Sequence, residues 1–338
     1  MRALTAGGAG HGVPLIRVAH LITDLSTGGA QRMLQRLLDN LEPAEFENHV
    51  ICLSHDKTLM AAIEAAGTPV HAIEMAPALP SPAAAWRLYG VLRRLRPDIL
   101  QTWLYHSDLL GLAFGRLAGV PRIVWNIRCA DTDEMYRSGR NAMVLRLLTR
   151  LSRRPDAVIA NSHAGREVHE YLGYCAKLWR VLPNGFDTAR FKPDAAAHDA
   201  LCRALSLPGD SQLVGLVGRF DPLKDHATFL GAAAICAIEK ANAHFVLVGN
   251  GIDNRNEPLV ALIRSLDLEQ RVHLLGERDD VAAVTAGLDV ATCSSIGEGF
   301  PNVIGEAMAC GVPVVATEVG DSARLLGEAG VVVAPADP

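Results

Sequence analysis

The chain has 338 residues, of which 49% are hydrophobic and 20% are charged, and its formal net charge is −5. These values are ordinary for a soluble globular protein with two domains or one large one. The seven cysteines are scattered and include no CxxC pair, which argues against a disulfide framework or a structural zinc site. The sequence has no apolar run of the roughly 18 residues needed to cross a bilayer, and its start lacks the apolar stretch of a secretory signal. We therefore expect a cytoplasmic protein with no nucleic acid among its partners.

The charge is divided unevenly along the chain. Residues 1–182 carry 21 Lys and Arg against 16 Asp and Glu, whereas residues 183–338 carry 11 against 21. Within the basic half, residues 85–154 hold 13 arginines and 5 acidic residues, concentrated in WRLYGVLRRLR and NAMVLRLLTRLSRR. Both stretches have the pattern of amphipathic helices with an arginine-rich face. Such a face is either a solvated surface or a contact for an anionic membrane, and the residues leave both possibilities open.

Strand-like and helix-like segments alternate from Ile16 onward, a pattern that predicts parallel α/β sheets. The first series comprises IRVAHLI, a helix over 30–40, HVICLS, ILQTWL, RIVWNI and AVIANS. The second comprises LVGLVGRF, a helix over 228–239, HFVLVG, a helix over 258–266, VHLLG, DVATCS and PVVAT. Turn-forming residues cluster between Pro183 and Pro193, so we place the domain joint there. The prediction is two Rossmann-like domains, at 13–183 and 193–338, facing each other across a cleft, after a flexible leader over 1–12.

Two segments of the first half follow predicted strands. Gly28 and Gly29 separate the first strand from a helix, where bare backbone can approach a phosphate or an acceptor closely. A simple tight turn explains these glycines equally well. His106 lies just past another strand, and a lone histidine in such a place is more often a hydrogen-bonded structural residue than a catalyst.

Two cations follow the first strand of the second half, in GRFDPLK. Arg219 is suited to bidentate contact with a phosphate, whereas Lys224 acts as a mobile point charge. Either residue could equally be a solvated surface cation, so the residue types alone do not decide their role.

The segment from Ser294 to Thr317, SSIGEGFPNVIGEAMACGVPVVAT, contains the strongest functional signal. Its apolar spacing predicts a helix over 302–310, with Glu298 in the glycine-rich loop before it and Glu306 about one turn inside, on the face of Asn302. The free N–H groups and positive dipole end of the first turn suit an anion such as a diphosphate. A carboxylate inside the first turns suits a vicinal diol such as that of ribose. The two requirements together describe a nucleotide sugar.

This segment resembles the signature of the GT-B retaining glycosyltransferases of family 4, which bear two glutamates at this spacing. Further matching pieces occur in the family's order: Gly28-Gly29-Ala30, Asn161-Ser162, Pro183 to Asp187, and Gly218-Arg219 with Lys224. The resemblance covers roughly residues 15–335. It implies the GT-B fold, an α/β architecture that consists of two Rossmann-like domains with parallel sheets.

The resemblance also implies an activity. Similar enzymes move a sugar from a UDP- or GDP-linked donor to a hydroxyl of a glycan or lipid-linked acceptor, with retention of configuration and without a metal or other cofactor. Cell-surface polysaccharide or glycolipid synthesis, including lipopolysaccharide, is the expected setting, at the inner face of the plasma membrane. Asp131-Thr132-Asp133 has the DxD form that binds metal in GT-A enzymes, but in a polar loop of a GT-B-like chain we expect no metal there.

Each candidate residue takes a role from this resemblance. Glu298 is expected to orient the transferred sugar, Arg219 and Lys224 to neutralise the departing diphosphate, and His106 to contact the sugar. The nucleotide-binding set is Gly28 and Gly29, which cover the diphosphate and border the acceptor pocket, Gly299, Phe300, Asn302 and Val303 at the helix start, and Glu306 at the ribose.

Two alternatives remain open at this stage. A nucleotide-sugar epimerase could use the same architecture without an acceptor, because a fold does not determine a function. A catalytically silent nucleotide-sugar-binding or membrane-scaffold protein is the second. Family members usually continue past the final residues VVVAPADP with helices that close the second domain, so we expect that domain to be incomplete here.

Overall fold

The computed structural model of the protein describes residues 15–26, 28–54, 58–75, 81–128, 130 and 139–338. The predicted leader and the Asp131-Thr132-Asp133 motif lie outside these residues. The chain divides into two compact units. The described residues of Met1–Ile127, Met135–Ile159 and Leu172–Arg180 form the first unit, and those of Arg128–Glu134, Ala160–Tyr171 and Val181–Pro338 form the second. The domain limits 13–183 and 193–338 stay a prediction from the sequence pattern.

Within the described residues, the first sheet has seven strands in the order β3-β2-β1-β4-β5-β6-β7. The strands are β1 Ile16–Ile22, β2 Phe46–Cys52, β3 Val70–Ala72, β4 Ile99–Trp103, β5 Arg122–Ile127, β6 Ala157–Ala160 and β7 Trp179–Val181. The pairings among β1 to β5 are parallel. The helices between them are α1 Gly29–Asn40, α2 Met60–Ala65, α3 Pro82–Leu95, α4 Tyr105–Ala118, α5 Gly139–Leu151 and α6 His163–Tyr171.

The second sheet has six parallel strands among the described residues, in the order β10-β9-β8-β11-β12-β13. They are β8 Gln212–Val217, β9 Ala243–Val248, β10 Val272–Leu274, β11 Val290–Cys293, β12 Val314–Thr317 and β13 Gly330–Val333. Its helices are α7 Ala197–Ala204, α8 His226–Glu239, α9 Glu257–Ser265, α10 Val281–Ala286, α11 Asn302–Ala309 and α12 Ser322–Leu326, with a 3-10 turn over Pro222–Lys224.

The central strands are apolar on both faces because parallel sheets carry helices on both sides. In β1, Leu21 and Ile22 are fully buried, and in β9 every residue except His244 is buried. Burial of each large aliphatic side chain contributes about 1.5–3 kcal/mol relative to its exposure. The hydrophobic cores therefore lie between the sheets and their flanking helices.

The strand order of each sheet reverses beside its first strand, with β2 and β4 flanking β1, and β9 and β11 flanking β8. Open parallel sheets bind ligands outside the carboxyl ends of strands at such switch points. Gly28 and Gly29 follow β1, and His106 follows β4. Arg219 and Lys224 follow β8, and Glu298 follows β11. The fold thus places the candidate residues at the ends where ligands of this architecture bind.

The predicted alternation of strands and helices is confirmed in both halves. The helix predicted over 302–310 is observed as Asn302–Ala309, and the one predicted over 258–266 as Glu257–Ser265. The prediction did not single out β3, β7 and β13, which are edge strands of three or four residues. None of the helices in the described parts of the chain combines the length and apolarity needed to cross a membrane.

Candidate functional site

The loop after β11 is tied to the loop after β8, both in the second unit. Ser294 Oγ donates to the carbonyl oxygens of Lys224 at 2.9 Å and Asp225 at 3.1 Å. The backbone N–H of Ile296 donates to the carbonyl of Leu223 at 2.9 Å. These bonds join two loops that are distant in sequence, and they bring Glu298 beside Lys224.

Lys224 and Glu298 form an ion pair between Nζ and Oε1. Ser295 Oγ donates to the same carboxylate oxygen at 2.8 Å. The Lys224 side chain is 23% exposed and that of Glu298 is 13% exposed, so solvent screens the pair less than a surface pair. Two donors hold Oε1, whereas Oε2 of Glu298 accepts no hydrogen bond from the described residues. That oxygen remains available to a hydroxyl of a ligand.

Arg219 lies at the same end of β8 but has a different partner. Its Nε and Nη2 bind Asp221 Oδ2 at 2.8 Å and 2.6 Å, and Asp221 Oδ1 accepts from the N–H of Leu223 at 2.9 Å. Burial alone would raise the pKa of Asp221, but the Leu223 N–H and the Arg219 guanidinium outweigh burial and lower that pKa. A Cβ on Gly249 would lie 2.1 Å from the carbonyl oxygen of Gly218, so the loop after β9 supports this segment directly. Arg219 itself is 57% exposed.

The start of α11 has unsatisfied backbone donors. The helix follows Pro301, and no described side chain accepts a hydrogen bond from its first turn. The first N–H groups of an α-helix have no partners within the helix, so those of Asn302 and Val303 can bind an anion. Gly299 and Phe300 lead directly into this turn. The geometry is that of an anion site built on a helix N-terminus.

Aromatic packing positions the same turn. The rings of Phe186 and Phe300 stack with centroids 6.1 Å apart and an interplanar angle of 25°. A Cβ on Gly305 would lie 2.0 Å from Phe186 Cζ, so only glycine lets the ring approach α11 this closely. The segment that includes Phe186 therefore packs against α11 and does not serve only as a connection.

A tight turn supports the backbone of the loop that carries Glu298. Gly320 has a φ of +55°, and a Cβ there would lie 2.3 Å from the carbonyl oxygen of Glu298. The N–H of Asp321 donates to the Gly299 carbonyl at 3.1 Å. The buried Asp321 carboxylate accepts the N–H groups of His163 at 2.7 Å and Ala164 at 2.9 Å, at the start of α6. The loop is thereby linked through this turn to α6.

Glu306 lies one turn after Asn302 in α11 and is buried, with 8% of its surface exposed. It borders a cavity of about 10 Å³ whose lining also includes Thr285 and Thr292. Such a cavity has room for about one water molecule. The ribose role of Glu306 stays a prediction.

In the first unit, Gly28 precedes α1 and Gly29 is its first residue. A Cβ on Gly28 would lie 2.4 Å from Gln31 Oε1, whereas Gly29 has nothing within 4 Å of that position. Gln31 Nε2 donates to Asp24 Oδ1 at 2.7 Å, which fixes the side chain that crowds Gly28. A side chain at Gly29 would meet no neighbouring atom, and the role of the two glycines at a phosphate or an acceptor stays a prediction.

His106 is exposed near the start of α4, and partial desolvation lowers its pKa, so the imidazole is neutral at neutral pH. Leu104, just before this helix, has φ 73° and ψ 158°, a conformation that costs a non-glycine residue about 1–3 kcal/mol. Thr102 Oγ1 donates to the buried Asp108 Oδ1 at 2.5 Å. Burial raises the pKa of Asp108 to about 8, with the Thr102 hydroxyl opposing it. These contacts fix the turn that carries His106.

The second unit thus brings together eight of the predicted site residues, along the carboxyl ends of β8 and β11 and in α11: Arg219, Lys224, Glu298, Gly299, Phe300, Asn302, Val303 and Glu306. Gly28, Gly29 and His106 belong to the first unit. Sequence reasoning missed Ser295, Asp221 and Asp321, which orient these residues. The DP of GRFDPLK is a sequence signal for a capping aspartate, whereas no local signal marks Asp321 as a cap for α6.

Two parallel sheets of seven and six strands, with these sites at their carboxyl ends, define the GT-B fold of glycosyltransferases. Anabaena HepE, solved in complex with UDP, is similar with a TM-score of 0.82 and 25% identity, over 95% of this chain and 86% of that one. WaaG, a glycosyltransferase involved in lipopolysaccharide biosynthesis, has the same fold with a TM-score of 0.69 and 14% identity, over 96% and 87% of the two chains.

Family models match both halves: "Glycosyltransferase Family 4" over 27–190 and "Glycosyl transferases group 1" over 211–338. A similar protein is the Campylobacter jejuni N-acetylgalactosamine-N,N'-diacetylbacillosaminyl-diphospho-undecaprenol 4-alpha-N-acetylgalactosaminyltransferase, 28% identical over 90% of this chain and 81% of its own length. Another is the Escherichia coli UDP-Gal:alpha-D-GlcNAc-diphosphoundecaprenol alpha-1,3-galactosyltransferase, 27% identical over 69% and 60%. The chain belongs to glycosyltransferase family 4. The predicted family and fold are confirmed.

Proposed function

We propose that this protein transfers a sugar from a nucleotide diphosphate-sugar to a hydroxyl acceptor, with retention of configuration at the anomeric carbon. The observation that carries the proposal is the Lys224–Glu298 pair, in the same unit as the uncapped first turn of α11. A cation and free backbone donors suit the diphosphate, and a carboxylate oxygen suits the sugar hydroxyls.

In this mechanism the bond between the anomeric carbon and the β-phosphate oxygen breaks, and its electron pair stays on the phosphate. The acceptor oxygen forms the new bond on the same face of the sugar, and its proton passes to the leaving β-phosphate. We assign no protein nucleophile, in contrast to retaining glycosidases, in which a second carboxylate attacks. Negative charge therefore accumulates on the diphosphate, and stabilising that charge is the protein's main task.

The residues divide this task by charge and position. Arg219, Lys224 and the N–H groups of Asn302 and Val303 would bind the diphosphate, and loss of one such donor costs on the order of 3 kcal/mol in transition-state stabilisation. Oε2 of Glu298 would accept from the sugar hydroxyls. Three further roles remain as predicted from the sequence: Glu306 binds the ribose, His106 contacts the sugar, and the backbone at Gly28 and Gly29 covers the diphosphate. Gly299 and Phe300 complete the helix start.

UDP is the first donor nucleotide to test. HepE, 25% identical to this chain, was solved with UDP and with UDP and glucose, and the E. coli relative is named for a UDP-Gal donor. GDP-sugars are the second choice. We propose that transfer needs no metal or other cofactor, so activity in excess EDTA should equal that in Mg²⁺.

The proposed acceptor is a hydroxyl of a lipid-linked glycan, in polysaccharide or glycolipid synthesis such as that of lipopolysaccharide. Two similar transferases are named for diphospho-undecaprenol acceptors. The functional test is incubation with UDP- and GDP-sugars and lipid-linked glycans, with mass spectrometry of the products. A product heavier by one sugar, which Glu298→Gln forms about a hundredfold more slowly, supports the proposal. Free nucleoside diphosphate without a glycosylated product, or an epimerised donor, contradicts it.

A surface of the first unit suits contact with an anionic membrane. A groove of about 520 Å³ is lined by apolar residues of α4 and α5 and by three cations: Leu109, Leu112, Ala113, Arg116, Leu151, Arg154 and Lys177. Leu117 in α4 is 59% exposed and Met143 in α5 is 65% exposed. Each basic residue near anionic headgroups contributes about 1 kcal/mol. We propose that the protein attaches peripherally to the membrane through this surface. It should then co-sediment with phosphatidylglycerol vesicles at low salt, and the double variant Arg154→Glu, Lys177→Glu should not.

A further inference from the structure

A chain of side-chain hydrogen bonds reaches the start of α11 within the second unit. Arg128, directly after β5, donates from Nη2 to Asn184 Oδ1 at 2.6 Å. Asn184 then donates from Nδ2 to Asn302 Oδ1 at 2.7 Å. Asn302 is the first residue of α11, beside the free N–H groups of its first turn. The chain therefore ends at the proposed diphosphate site.

The arginine determines the direction of every bond in this chain. A guanidinium has only donors, so the Asn184 atom that faces it must be the amide oxygen. The other end of Asn184 is then its NH₂ group, and the atom of Asn302 that meets it must again be an oxygen. Asn302 is left with its Nδ2 group, which has no partner among the described residues. Without the arginine, either amide could turn end for end at little cost, because amide oxygen and nitrogen have nearly the same shape.

The residue at the centre of this hydrogen-bond chain is buried and tightly packed. Asn184 is buried, with 7% of its surface exposed. Phe186, two residues further on, packs against Gly305 of α11 and stacks on Phe300, so the segment has little freedom to move relative to the helix. Desolvation lowers the pKa of Arg128 to about 10, which leaves the guanidinium protonated at neutral pH. The donor at the head of the chain is therefore permanent under ordinary conditions.

We propose that Arg128 and Asn184 are positioning residues, which orient the Asn302 amide so that its Nδ2 donates to the diphosphate of the donor substrate. This inference rests on the proposed function, because the diphosphate is the ligand assigned there to the helix start. In this proposal the Asn302 side chain joins the backbone N–H donors of α11. Its orientation is set by Arg128, which lies outside the site.

Reversing the donor and acceptor order of these hydrogen bonds tests whether they orient the Asn302 amide. Asn184→Asp keeps the shape and gives Arg128 a carboxylate partner, but it removes the donor to Asn302. The Asn302 amide must then turn its Nδ2 toward the introduced carboxylate and present Oδ1, a repulsive acceptor, to the phosphates. We expect UDP affinity, measured by calorimetric titration, to fall about tenfold to a hundredfold, because the phosphates lose a donor and also meet a repulsive acceptor.

The double-mutant cycle separates this effect from simple charge repulsion. Asn302→Ala removes the side chain that turns, so UDP affinity should fall only several-fold, and adding Asn184→Asp to it should change nothing further. An equal loss from Asn184→Asp in both backgrounds would mean that the new charge repels UDP without Asn302, and would overturn the proposal. No loss from Asn184→Asp in the native background would overturn it as well.

Two controls keep the result interpretable. Asn242→Asp changes an exposed asparagine that donates to the carbonyl of Asp210, and it should leave UDP affinity unchanged. If Asn184→Asp does not fold, Arg128→Gln replaces it, since a glutamine can donate or accept and no longer imposes a direction. We expect a several-fold loss of UDP affinity that vanishes with Asn302→Ala, and a persistent loss contradicts the inference. A wild-type protein that binds neither UDP nor GDP would refute the proposed function itself.

Discussion

Lys224 and Glu298 are 74 residues apart in sequence, and their side chains pair where the loops after β8 and β11 meet. The pair fixes one carboxylate oxygen together with the Ser295 hydroxyl and leaves the other oxygen without a donor among the described residues. One side of the carboxylate therefore serves the protein and the other can serve a ligand. In the proposed reaction this would align the sugar while the lysine remains next to the diphosphate.

Substitution of the two members of this pair should affect transfer and UDP binding differently. Glu298→Gln keeps the shape but loses the charge that orients the sugar, so transfer should fall about a hundredfold or more with UDP affinity nearly unchanged. Lys224→Met should weaken UDP binding as well as transfer, because it removes a phosphate partner. Steady-state kinetics and UDP titration separate the two effects. Lys240→Met, an exposed lysine after α8, is the control, and an equal loss there would show that the effect is not specific to the pair.

Asp221 should control the position of Arg219. Asp221→Asn retains an oxygen for the Leu223 N–H but removes the negative charge that holds the guanidinium, so we expect transfer to fall about tenfold with little change in thermal stability. Arg278 and Asp280 form a similar pair after the edge strand β10, and Asp280→Asn is the matched control. Equal kinetics for the two variants would contradict a special role for Asp221.

Gly320 should be required by the loop that carries Glu298. An alanine there is strained by its positive φ and meets the Glu298 carbonyl oxygen, whereas Gly276 has a similar φ of +68° with nothing within 4 Å. Both substitutions share the backbone strain, so their difference isolates the steric effect. We expect Gly320→Ala to lower the free energy of unfolding by on the order of 1–3 kcal/mol more than Gly276→Ala, and to reduce transfer. Equal free energies of unfolding for the two variants would show that the loop accommodates the added methyl group without losing stability.

Asp108 should make stability depend on pH. Burial raises its pKa to about 8 from an ordinary value of 3.8, so the folded chain keeps a proton that the unfolded chain releases between these values. The free energy of unfolding contributed by this group is therefore fully present below pH 4 and is lost as the pH rises through 8. Asp108→Asn, which can still accept from Thr102, removes this dependence.

Denaturant unfolding at several pH values from 5 to 7 provides the measurement. We expect the wild type to lose stability relative to Asp108→Asn by on the order of 1 kcal/mol per pH unit. The comparison isolates Asp108 from buried histidines such as His20 and His169, whose pKa values burial lowers to about 4. Parallel stability curves for the two proteins would mean that the carboxyl is ionised in the fold.

Much of the fold follows from local sequence pattern. Long buried strands such as β9 are continuous apolar runs bounded by turns, and α11 lies between Pro301 and Gly311, which has a φ of +74°. The edge strands β3 and β7 were not foreseen because they have only three residues each, too few to show a pattern, and β13 was not foreseen although its residues GVVV are apolar. Their pairing depends on neighbouring strands and not on their own composition.

The candidate site was foreseen in part. Loop glycines, carboxylates and cations at strand ends are visible in the sequence, and the resemblance to family 4 assigns them roles. The contacts that orient them are not visible, because Asp321 lies 158 residues from the helix start it caps, and Asn184 reaches a helix 118 residues away. Asn184 lies in the predicted domain joint and in one of the pieces that resemble the family, but neither pattern indicates its contact with Asn302. Long-range hydrogen bonds of this kind are determined by tertiary packing.

In the proposed reaction the second unit binds a nucleotide diphosphate-sugar through Arg219, Lys224 and the start of α11. Thermal unfolding with a panel of UDP- and GDP-sugars, on the wild type beside Arg219→Ala, tests it most directly. A ligand at 100 times its dissociation constant stabilises a protein by about 2.7 kcal/mol. We predict that one nucleotide series raises the unfolding temperature of the wild type by a few degrees and leaves Arg219→Ala unchanged. No shift with any donor, or the same shift in both proteins, would contradict the account.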